Sequence, residues 1–101
     1  MVDAGGTTTL TKITNVGPYM LMKLSNDSWD STETIPLDIT DSPVAAEDQV
    51  LIVGALNETT ESQLGGSALT VEYDETAMHF TGTESGATAD VLSIWFYLLK
   101  N

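Results

Sequence analysis

The sequence predicts an all-β domain, an antiparallel β-sandwich or small barrel of about seven strands behind a flexible amino-terminal arm. Three observations predict it. Short alternating apolar segments recur with turn residues between them, and no stretch long enough for a helix carries helical periodicity. Fifteen threonines and eight serines supply most of the polarity, which favours strands. A chain of 101 residues that is 42% hydrophobic holds one domain and is too apolar for wholesale disorder.

Residues 1–9 read as the arm, with Gly5-Gly6 followed by Thr7, Thr8 and Thr9, and a single β domain fills 10–101. The first strand pattern runs to Val16, and Gly17-Pro18 signals a turn. Tyr19 to Leu24 alternates, with Met20, Met22 and Leu24 on one face. Asn26 to Thr32 reads as a polar loop around Trp29. Thr34 to Ile39 places Ile35, Leu37 and Ile39 on one face, with Pro36 acceptable at an edge. Val44 to Asp48 allows one short helical turn, and Gln49 to Leu56 is a continuous apolar run that predicts a strand buried on both faces. Ala68 to Tyr73 and Thr76 to Thr81 form a hairpin about an Asp74-Glu75 turn. Asp90 to Lys100 is the final strand, apolar or aromatic on both faces from Val91 to Leu99 except at Ser93. Such a strand is either a covered central strand or one whose Trp95, Tyr97 and Leu99 face packs on another subunit.

Charge excludes several functions. Fifteen acids stand against three lysines, for a net charge of −12. Nucleic acid and anionic membrane need basic patches, so neither is expected as a partner. Without cysteine there are no disulfides, thiolate metal sites or cysteine nucleophiles. Met1 to Gly6 has neither the basic region nor the apolar stretch of a secretory signal.

No complete catalytic constellation is present, and no cofactor is implied. His79 is the only histidine and alternates away from Met78 and Phe80, toward a solvated face; Ser67, Ser93 and Asp74 are its conceivable partners. Asn26, Ser28 and Asp30 have calcium-loop spacing, but Ser31 and Leu37 stand where that loop needs glycine and glutamate, so no metal site is assigned. Pairs such as Glu47 with Asp48 read as solvated turns. Asn26-Asp27-Ser28 and Asn57-Glu58-Thr59 match the glycosylation acceptor pattern, as chance allows in so Ser/Thr-rich a chain. Trp29 and Tyr19 are the candidate ligand-binding aromatics, able to stack on a sugar ring.

The Gly5–Thr9 arm, the segment from Pro43 to Gly54 (PVAAEDQVLIVG) and the ending from Thr81 to Lys100 (TGTESGATADVLSIWFYLLK) together resemble small virion proteins of tailed bacteriophages, namely head decoration (cement) proteins and fibre modules. The resemblance implies a β-rich, non-enzymatic structural protein of the virion, assembled in the host cytoplasm. It implies a homo-oligomer, with a trimer favoured, that contacts the major capsid protein or another virion protein through an arm holding Thr7, Thr8 and Thr9. The alternative is a carbohydrate- or receptor-binding module of a fibre. No catalytic residue carries over.

Overall fold

A computed structural model describes residues 2–66 and 68–100. The fold is all-β, with no helix among the described residues. Eight strands form two sheets: β1 (Thr8–Val16), β2 (Tyr19–Trp29), β3 (Thr34–Pro36), β4 (Gln49–Asn57), β5 (Ser62–Gln63), β6 (Thr70–Asp74), β7 (His79–Thr83) and β8 (Asp90–Leu99). The larger sheet has the order β1-β2-β8-β4-β5 and the smaller one β3-β7-β6, and every pairing between named strands is antiparallel. The accessible surface is 5460 Å², close to the ~5,500 Å² that mass scaling gives for a folded chain of this size.

The core lies between the sheets. β8 presents Leu92, Ile94, Phe96 and Leu98, all fully buried, and β2 adds Met22 and Leu24 beside them. The smaller sheet answers with Ile35, Val71 and Phe80. An aromatic pair bridges the layers, Phe80 lying 5.5 Å from Phe96, and Tyr73 packs on Phe80 at 4.9 Å within the smaller sheet, tilted in both cases. Offset rings of this kind add about 0.5–1.5 kcal/mol beyond the area they bury.

Several local expectations change. Asn26, Asp27 and Ser28 continue β2 instead of forming a loop, because Asn26 faces inward and finds partners there. Its Nδ2 donates to Gly5 O and Thr8 Oγ1, both at 2.9 Å, and its Oδ1 accepts from the Ser28 N–H at 2.8 Å. β3 stops at Pro36, and Leu37 reaches the core from irregular backbone. Val44–Asp48 makes only a turn, closed by the Asp48 N–H on Ala45 O. The β6–β7 turn spans four residues, not two, because Asp74 Oδ1 accepts from the Thr76 and Ala77 N–H groups and turns the chain itself.

β4 is the main correction. It is not buried on both faces: Leu51 is 60% and Val53 51% exposed. Leu51 stands opposite Tyr97 on the outer face of the larger sheet, away from the smaller sheet that covers the core face.

Candidate functional site

The outer face of the larger sheet is built from the residues that alternate away from the core. Partners directly opposite in register share a face, which sets Leu21 beside Tyr97, Lys23 beside Trp95, and Leu51 on the other flank of Tyr97. Gly54 flanks Trp95 from β4, and Thr11 and Thr14 continue the face onto β1. Lys23 Nζ sits 5.2 Å from the Trp95 ring centroid, a cation–π contact. Tyr97 packs against Tyr19 at 5.7 Å, with 48° between the rings. Trp95, Tyr97 and Leu99 are each half-buried within the single chain. Its carboxylates gather at one end, where Asp27 accepts from the Thr7 N–H and Glu58 from the Ser93 hydroxyl. In a chain of net charge −12, this apolar, nearly anion-free face stands apart from the rest of the surface.

The arm is shorter and better anchored than a free 1–9 tail. Thr8 and Thr9 belong to β1, opposite Asn26 and Ser25. The Thr7 N–H donates to Asp27 Oδ1 at 2.7 Å, and Thr7 O accepts from the Asp27 N–H. Ahead of them, Asp3 pairs in parallel with Thr34; the Thr34 N–H donates to Val2 O and the Ala4 N–H to Thr34 O. Gly6 (φ +67°) makes the crossing between these two attachments, where a Cβ would collide with the Asp27 and Ser28 side chains.

Trp29 has no accessible ring face. It is fully buried at the end of β2, with Nε1 donating to Glu33 O at 3.2 Å. The expectation that it stacks on a ligand is therefore corrected: the indole closes one end of the core. Tyr19 does line a cleft, one of about 270 Å³ beside the start of β4, shared with Tyr73, Tyr97, Asp48, Gln49 and Glu75. Burial pushes the Tyr73 phenol up from 10.0, and the negative charges of Asp74, Glu75, Asp38 and Asp48 push it the same way.

At the opposite end of β4, Asn57 is buried between two buried carboxylates. Its Nδ2 donates to Asp90 Oδ2 at 2.8 Å and to Glu84 Oε1 at 3.3 Å, while its Oδ1 accepts from the Thr59 and Thr60 N–H groups. Thr60 Oγ1 donates to Glu84 Oε2 at 2.9 Å. Periodicity gave no hint of this knot, since an asparagine ending an apolar run reads as the start of a loop. Both acceptor-pattern asparagines, Asn26 and Asn57, are thus enclosed and hydrogen-bonded.

His79 is half-buried on β7 opposite Pro36, whereas Ser93 lies on the outer face of the other sheet, bonded to Glu58 and near Ser25. Ser67 lies outside the described residues. Among the described residues no cluster of three or more histidine or acidic side chains is arranged to hold a metal ion. No protein-family model matches the chain, and neither a curated protein nor a solved structure matches it.

Proposed function

We propose that this protein is a non-enzymatic structural component of a virion, a capsid decoration or cement protein that self-associates and stabilises the capsid surface. The observation that carries the reading is the outer face of the larger sheet, where Leu21, Trp95, Tyr97 and Leu99 gather with almost no carboxylate. Four long strands about 4.8 Å apart and about 30 Å long make a face of roughly 600 Å², approaching the ~800 Å² per partner of a standard interface. Aromatic side chains with carboxylates kept from their midst approach the composition of an interface centre. The anions elsewhere keep the outer surface soluble. The strap at residues 2–6 supplies a backbone segment that can pair with a neighbouring protein. The test is co-sedimentation with capsids, together with light scattering of the free protein. Co-sedimentation lost on deleting residues 2–6, or in Trp95→Lys, supports the reading; a protein that is monomeric at all concentrations and ignores capsids sinks it.

The Tyr19–Tyr97 cleft favours a second reading, a carbohydrate-binding module of a fibre. Phenol rings beside Asp48, Gln49 and Glu75 offer stacking faces and acceptors for sugar hydroxyls. Glycan-array binding that disappears in Tyr97→Ala would favour it over the decoration role.

A further inference from the structure

The four strand edges of the sandwich are guarded unequally. β1 ends one side of the larger sheet and carries Lys12 and a bulge between Lys12 and Thr14. β6 ends the smaller sheet and carries Glu72 and Asp74. β3, on the other side, holds Pro36 and is covered at Thr34 by the strap. Charge, proline, bulges and covering segments are the devices that keep edges from pairing with other chains. The edge of β4 has the fewest. β5 covers it at Leu56 and Asn57, the Leu64 N–H donates to Ala55 O beyond, and no residue from Gln49 to Asn57 is charged. Its one device is the bulge between Ile52 and Gly54.

We infer that the open edge of β4 is where a second copy of this chain joins, by antiparallel pairing of β4 with itself about a two-fold axis at Leu51. Charge singles out β4, among the free edges, as the one able to pair with a copy of itself. At a two-fold axis a strand meets its own sequence reversed, so charges near the axis are brought against like charges. Paired copies of β1 would crowd Lys12, and paired copies of β6 would crowd Glu72 and Asp74; β4 brings no charge to the contact. With Leu51 on the axis, Gln49 falls opposite Val53 of the copy and Val50 opposite Ile52. Asp48 falls opposite Gly54, away from its own mate. The contact uses up both open edges, so it stops at two chains and builds no filament. It also joins the two outer faces into one continuous apolar surface. The inference rests on the reading that the protein self-associates, and gives that association a pair in place of the expected trimer.

The chain has no cysteine, so Leu51→Cys introduces one thiol. Opposed residues of an antiparallel pair lie about 4.5–5.5 Å apart at Cα, within the span of a disulfide. Under mild oxidation L51C is expected to form a covalent dimer, and T70C, on the exposed β6 edge, is expected to remain monomeric. By light scattering the parent chain should be a dimer at micromolar concentrations, with Leu51→Lys raising the dissociation constant at least tenfold. Leu51 is 60% exposed, so neither substitution empties the core. A chain that associates as a trimer, or whose L51C form does not cross-link, overturns edge pairing and leaves the outer-face reading standing; association unchanged by L51K overturns edge pairing. A protein monomeric throughout overturns edge pairing, and one that also ignores capsids overturns both.

Discussion

Gly82 lies so close to Trp29 that a Cβ on it would stand 2.7 Å from Trp29 Cζ2 and 2.9 Å from Leu92 Cδ2. The glycine is the floor on which the indole rests, and both neighbours are fully buried. Gly82→Ala should therefore destabilise the fold by about 1–3 kcal/mol through overpacking. Gly54→Ala meets nothing within 4 Å and should stay within about 0.5 kcal/mol of the parent. Chemical denaturation followed by Trp fluorescence checks the pair; equal midpoints for the two variants would refute the packing argument.

Asn57 holds Glu84 and Asp90 apart while bonding to both. Asn57→Ala leaves buried carboxylates short of a donor and should cost about 1–3 kcal/mol. Asn57→Asp adds a third carboxylate and should cost more than the alanine. Adding Glu84→Gln to N57D should recover part of the loss. Equilibrium unfolding of the four proteins decides it, and an aspartate variant as stable as the alanine one would contradict the arrangement.

Tyr73 gives the alkaline limb of stability. Its phenol is held above 10.0 in the folded chain by burial and by the surrounding carboxylates. Above pH 10 the unfolded chain therefore loses this proton first, and stability declines as pH rises toward the folded value. Below pH 10 both states keep the proton and the group contributes no slope. Tyr73→Phe should flatten the decline seen in melting temperature above pH 10; an identical alkaline profile would remove Tyr73 as its source.

The net charge of −12 gives a salt dependence. Spread evenly over 5460 Å², the excess charges lie roughly 20 Å apart, beyond the ~8 Å Debye length at physiological salt but inside the ~30 Å length at 0.01 M. The melting temperature should rise as salt is added from that low value and then level off. A flat profile would contradict this.

The class of fold was legible because β periodicity is strict: the Leu92, Ile94, Phe96 and Leu98 face of β8 is buried as the alternation predicts. The outer face was legible in part, through Trp95 and Tyr97. β4 was misread because a continuous apolar run has the same appearance whether its second face is covered or bare, and here the smaller sheet packs on the inner face alone. Trp29 was misread because its polar neighbours suggested a loop, whereas Asn26 gives that segment internal partners and extends β2. The Asn57 knot joins residues as far apart as Asn57 and Asp90, and no local pattern marks such a meeting.

The central place of β8 has a consequence for the order of folding. Met20 faces Leu98 and Gln49 faces Leu99, so the β1–β2 hairpin and β4 are joined only through residues 90–99. A chain leaving the ribosome therefore carries two apolar strands with nothing between them until that segment emerges. Pairings so distant in sequence close slowly, which makes this interval the one in which the growing chain most needs protection from its neighbours.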